Sequence, residues 1–204
     1  DSEMAYQLEK RYGWLANCEE MAVIGAPGGT RQTGAAGDGT TAREMKSLYS
    51  QLDASVVADA TAFTLISQLE DAILGEHQDC YEAGGNPSYL VVNPTNSLYI
   101  SDFARSANRT RDIQNERTVV NVVDLLVNNF GELDVVIDRN ADDAVYGLDF
   151  NQLATAVLRP TSDHELAKNG DSERRQVVRE STFAVLNSKS CFAVDSVPTA
   201  LVLA

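Results

Sequence analysis

Few side chains in this sequence are of types and spacings that could do chemistry. The two histidines are His77 and His164. A hydrolytic triad needs a nucleophile, a base and an orienting group brought together in space. His164 is the better placed base, in the polar stretch Ser162-Asp163-His164-Glu165, but the chain has no Gly-x-Ser-x-Gly elbow. It reads as a surface histidine beside a turn. His77, flanked by Glu76 and Asp79, reads as a solvated helix residue. Cys18, Cys80 and Cys191 are far apart and odd in number, with no Cys-x-x-Cys pair and no histidine near them in sequence. That argues against a zinc site or a disulfide scaffold and for three free thiols. Asp134, Asp138, Asp142, Asp143 and Asp149 lack the alternating oxygen spacing of a calcium loop, so they read as a solvated face.

Residues 25–41 hold six glycines and one proline. A phosphate loop would need converging backbone N–H groups and a Gly-Lys-Ser/Thr end, which is missing. Gly37-x-Gly39-x-x-Ala42 matches the relaxed dinucleotide pattern, but no strand is expected ahead of it. The segment reads as a flexible loop. Nucleotide binding there is kept as a rival reading. No cofactor and no metal are expected, and no catalytic residue is assigned.

Certain elements must position these residues. The chain has 204 residues, 44 % of them apolar, enough for one substantial domain or two small interleaved ones. Its formal charge of −14 argues against tight binding to a phosphate backbone. No apolar run of membrane-spanning length occurs, and Asp1-Ser2-Glu3-Met4 has neither a basic nor an apolar leader region.

Helical spacing of Met4, Leu8, Leu15, Cys18 and Ala22 predicts a helix over 2–24. A second is predicted over 61–83, with Phe63, Ile66, Leu69, Ile73 and Cys80 on one face, stopped by Gly84-Gly85-Asn86-Pro87. Tyr89-Leu90-Val91-Val92 suits a buried strand. Asn93-Pro94 then starts a short helix through Leu98, Ile100 and Phe103.

Arg105, Arg109, Arg111 and Arg117 mark an exposed loop over 105–117. A long strand follows from Val119 to Val127, with Val119, Val123, Leu125 and Val127 on one face. Asn128–Gly131 turns the chain into a half-buried return strand in which Leu133, Val135 and Ile137 alternate with Asp134 and Asp138. Ala154–Arg159 is a strand closed by Pro160, and Asn169-Gly170 signals a type I′ hairpin before Arg175–Leu186. The apolar end, Ala200–Ala204, adds an edge strand or tucks under the core. Helices lead and strands follow without regular alternation, which points to α+β.

Several segments in order resemble the major capsid (major head) proteins of tailed bacteriophages. They are Gly84-Gly85-Asn86-Pro87-Ser88-Tyr89-Leu90-Val91-Val92-Asn93-Pro94, then Asn129–Arg139 with its Phe-Gly and paired valines. Tyr146–Asp149, Leu158-Arg159-Pro160 and Leu166–Phe183 follow in the expected order. The resemblance implies the Hong Kong phage-type capsid fold, shared by encapsulins, with a spine helix, a peripheral domain and an axial domain. It places the spine helix and Gly-rich loop at 1–54, the axial domain at 55–139, a peripheral β hairpin at 140–186 and a return to the axial domain at 187–204.

It further implies a structural subunit of an icosahedral head enclosing double-stranded DNA, and not an enzyme. Its partners would be copies of itself in hexamers and pentamers, with scaffolding, portal or decoration proteins besides. DNA would be met only non-specifically and a membrane not at all. Such a protein would be assembled in the bacterial cytoplasm and reside in the virion. An encapsulin-like shell protein is the nearest alternative. The family's N-terminal arm and extended loop precede the spine helix, so a chain starting at Asp1 is expected to lack them and to fail to close a shell. Interface residues are expected at Glu3, Glu9 and Arg11 on the first helix and at Arg105, Arg109 and Arg111.

Overall fold

A computed structural model describes residues 3–26, 29–106 and 125–202, without the side chains at 104–106 and 169. The chain divides into two compact units. Residues 1–51 and 153–184 make a helix–ribbon unit, and residues 52–152 and 185–204 make a sheet unit.

The helix–ribbon unit opens with α1, Glu3–Ile24. Glu3 in its first turn suits the positive end of the helix dipole. Met4, Leu8, Leu15 and Cys18 are half-buried, and only Ile24 is fully buried. Strands β1 (Thr33–Ala35) and β2 (Glu44–Lys46) then pair antiparallel. The helix end is tied down by Leu48, whose N–H donates to the Val23 carbonyl at 2.8 Å.

The rest of this unit is a two-stranded ribbon, β8 (Leu153–Asn169) with β9 (Ser172–Val185, its last residue falling in the sheet unit). Pro160 does not end β8. A two-stranded ribbon leaves one side of each strand unpaired, and a proline's missing N–H can point there. The turn is Gly170-Asp171 and not Asn169-Gly170. Gly170 takes φ +73° as the first central residue, the pattern of a type II′ turn.

The sheet unit begins with β3 (Val57–Asp59) and α2 (Ile66–Glu82). At the start of α2 the Gln68 side chain accepts from the N–H groups of Thr64 (2.8 Å) and Leu65 (3.0 Å). Its end is a Schellman motif. Gly84 sits at φ +88°, its N–H donates to Tyr81, and the Gly85 N–H donates to Cys80 at 2.9 Å. Strand β4 is Tyr89–Val92, and α3 is Pro94–Ser106. Asn93 caps α3 by accepting from the Asn96 N–H at 2.7 Å.

Strands β5 (Leu125–Asn128), β6 (Gly131–Ile137), β7 (Val145–Leu148) and β10 (Phe192–Asp195) complete a six-stranded mixed sheet. Its order is β3-β10-β7-β4-β6-β5. Ile66, Leu69 and Ile73 of α2 and Ile100 and Phe103 of α3 pack with Leu90, Leu133, Phe192 and Val194 in one buried core. Near the C-terminus, Leu201 is buried and Val202 bridges Leu65 in parallel.

Several expectations need correction. The stretch 140–152, assigned with the hairpin at 140–186, belongs to the sheet unit, because β7 pairs with both β4 and β10. The first segment likewise ends at 51 and not 54. On β5 the inward residue is Leu126, opposite buried Leu133, while Leu125 and Val127 are exposed. Residues 119–124 of that expected strand lie outside the described residues. Leu98 and Ile137 are also exposed.

His77 is fully buried, between the rings of Phe130 and Phe192, each 5.8 Å away. Asp149 is buried too, accepting from the Asn151 N–H at 3.0 Å. Asp142 accepts from the Tyr146 hydroxyl at 3.1 Å. These two carboxylates of the acidic run therefore hold the sheet's loops together, and the run is not simply a solvated face.

Glu76, next to His77, has an inward carboxylate oxygen with no hydrogen-bond partner among the described residues. Burial, with Asp79 nearby, pushes its pKa up to about 7. The folded state therefore favours the protonated acid. Its contribution is complete below the ordinary glutamate value and is lost as pH rises through about 7. Glu76→Gln should accordingly raise stability at pH ~8 by about 1 kcal/mol and leave it unchanged at pH ~4. Urea midpoints at the two pH values check this; an equal shift at both would sink it.

Candidate subunit interface

The expected interface residues separate. Glu3, Glu9 and Arg11 are exposed on α1. Glu3 accepts from the Gln7 amide at 2.7 Å. Glu9 is two residues from Arg11 and so lies on nearly the opposite side of the helix. Arg105 falls on α3 in the sheet unit, its side chain not described, and Arg109 and Arg111 lie outside the described residues.

Aromatic side chains, not singled out from sequence, stand on the exposed side of α1. Trp14 is 58 % exposed and Tyr6 51 %. Lys10 Nζ stands 4.2 Å from the Tyr6 ring centre, and the Arg11 guanidinium 5.9 Å from that of Trp14. Both are cation–π distances. The spacing 6, 10, 14 is the helical signal that marks this stripe.

Between α1 and β9 runs a groove of about 300 Å³. Its floor includes Met4, Leu8 and Val177, and its polar edge includes Arg11 and Arg175. Arg175 meets Asp163 through Nη1 at 2.6 Å. Further along, Glu19 accepts from Ser181 Oγ and lies 3.0 Å from Arg179 Nε. The ribbon's own charges pair across its strands, Arg159 with Glu180 and Lys168 with Glu173. Such exposed pairs contribute little to stability.

The end of the Gly-rich loop commits the donors of Thr40 and Thr41 internally. Asp38 Oδ1 accepts from the N–H groups of Thr40 (2.8 Å) and Thr41 (2.7 Å) and from the Thr40 hydroxyl. These bonds hold the Asp38 carboxyl well below the usual range. A carboxylate thus occupies donors that a phosphate would need. A short strand, β1, does precede Gly37, but β2 follows, so there is no βαβ unit.

Burial pushes the Cys80 thiol up to about 12 and raises that of Cys191, which makes neither a ready nucleophile. His164 is exposed, within 3.2 Å of Ser162 Oγ. Among the described residues no cluster of His, Cys, Asp or Glu is arranged for a metal ion, and no helix is long and apolar enough to cross a membrane.

Residues 1–198 match the family described as SU10 major capsid protein. The chain belongs to this family. The span matched to the SU10 major capsid family includes the ordered motifs around Gly84–Pro94, Asn129–Arg139 and Leu166–Phe183.

Among solved structures, the chain resembles the SrpI encapsulin of Synechococcus elongatus PCC 7942, with a TM-score of 0.61 at 8 % identity. The match covers 97 % of this chain and 66 % of that one. It also matches a virus-like particle from Pyrococcus furiosus (TM-score 0.44, 11 % identity, 72 % of this chain and 58 % of that one). No curated protein matches it in sequence. The α+β architecture is therefore that of the Hong Kong phage-type capsid fold, as the motifs implied.

Proposed function

We propose that this SU10-family protein is a major capsid subunit that assembles with copies of itself into an icosahedral head around double-stranded DNA. The observation that carries this reading is the family match over residues 1–198. The helix–ribbon unit serves as the peripheral domain, with α1 as its spine helix. The sheet unit serves as the axial domain at capsomer centres. Shells close when one contact repeats under symmetry, so modest interfaces suffice. Hexamers and pentamers of this chain are the assembly units, with scaffolding, portal or decoration proteins as further partners. Assembly takes place in the host cytoplasm. The net charge of −14 suits a wall that surrounds DNA without gripping it.

Expression from the complete gene, followed by size-exclusion chromatography and electron microscopy, tests this directly. Closed particles are expected; a protein that stays monomeric at high concentration would overturn the proposal. Particle contents distinguish a phage head, which holds nucleic acid, from an encapsulin-like compartment, which holds protein cargo. Charge reversal at Arg109 and Arg111 should lower particle yield at least several-fold if those residues meet acidic groups of a neighbour. A normal yield would remove those residues from the interface.

A further inference from the structure

The α1–β9 groove has the chemistry of a docking site. Its floor is apolar through Met4, Leu8 and Val177, and Trp14 stands at its edge more than half exposed. Its charged lining residues are both arginines, Arg11 and Arg175, and no carboxylate lines it among the described residues. Because Arg175 already meets Asp163, Arg11 is the cation held ready, near the face of Trp14 and in no ion pair among the described residues.

Tryptophan and arginine beside an apolar floor are the residue types that carry most binding energy in protein interfaces. What would fill the groove must bring apolar side chains and negative charge. The chain itself carries 30 acidic against 16 basic residues. A second copy is therefore an acidic partner.

We infer that the α1–β9 groove receives an acidic, partly apolar segment of a second copy, with Trp14 as anchor and Arg11 as charge partner. The inference rests on the shell-subunit reading and adds to it the place and polarity of one contact. A groove on one copy filled by a different surface of the next is a head-to-tail contact, the kind that generates rings when the rotation closes.

Trp14 is the only tryptophan of this chain and reports on the site. The protein from the complete gene would be studied as particles and as dissociated subunits, with a Trp14→Phe variant subtracted to isolate the Trp14 emission. Acrylamide quenching of Trp14 should fall several-fold on assembly, with emission moving to shorter wavelength. Arg11→Glu should cut particle yield at least tenfold and Arg11→Lys much less, with thermal melting of the free subunits unchanged in both. Wild-type particles that form with unchanged Trp14 quenching, or an Arg11→Glu variant that assembles normally, overturn the docking site and leave the shell reading standing. A wild-type protein that forms no particles overturns both.

Discussion

Replacing Gly147 with alanine should destabilise the sheet unit by about 3 kcal/mol. A Cβ at that position would stand 2.1 Å from Cε1 and 2.4 Å from Cζ of Phe192, where unstrained carbon contacts need about 3.5 Å. Phe192 lies directly across from Gly147 in the β7–β10 pairing and is fully buried. Its ring also stacks on His77, so it cannot retreat without giving up contacts on the helix side. The glycine is there because an aromatic ring covers its backbone. Chemical denaturation measures the loss. Adding Phe192→Leu should return part of it, because the smaller side chain vacates the space, and the double-mutant cycle should show coupling above about 1 kcal/mol. An unchanged midpoint for Gly147→Ala would mean that the ring moves freely.

Acidification through the ordinary histidine range should weaken the same unit through His77. Asn128 fixes the tautomer. Its Oδ1 accepts from the N–H groups of Phe130 and Gly131, each at 3.0 Å, so its amide nitrogen must donate to His77 Nδ1, 2.8 Å away. Nδ1 therefore carries no proton, and Nε2 carries one with no partner among the described residues. A second proton would set donor against donor and place a charge in a fully buried site. Burial accordingly lowers the pKa below its usual 6.5.

The sign follows from linkage. Below the ordinary histidine value the unfolded chain takes up a proton that the folded chain refuses. Stability is therefore full above that value and falls as pH drops toward the folded pKa. In a Glu76→Gln background, which removes the opposing carboxyl, urea midpoints between pH ~7.5 and ~5 should fall, and they should flatten over that range when His77→Leu is added. His77→Ala should in addition cost about 3 kcal/mol at neutral pH, from the lost ring packing and the stranded Asn128 amide. A Glu76→Gln midpoint constant across the range would remove the histidine from this role.

Local chemistry made α2, β4 and α3 readable from sequence. Gly84-Gly85 can end a helix in a left-handed turn, and Asn93-Pro94 can begin one, whatever the rest of the chain does. The faces of β5 were not readable. Leu125-Leu126-Val127 is apolar throughout, so only its register against Leu133 decides which residue points inward. The burial of His77 was hidden for a related reason. Acidic neighbours in sequence suggested solvent, while helical geometry turns adjacent residues to different sides. Pro160 misled because its cost depends on whether a strand has a free edge, which is a tertiary fact. At the interface, charge drew attention to Glu3, Glu9 and Arg11, and of these only Arg11 lines the groove. Trp14 and Tyr6 fell outside the apolar stripe of α1, and that should have marked them as available to a partner.

The division into two units has a mechanical consequence. The polypeptide passes between them three times, at 51–52, 152–153 and 184–185. Neither unit can be excised as one stretch of gene, and a single protease cut at any one passage leaves the two still covalently linked through the others. Severing them takes three cuts. Nicking alone would therefore be silent on a native gel and visible only after denaturation, and force on the backbone would be shared among three strands of covalent chain.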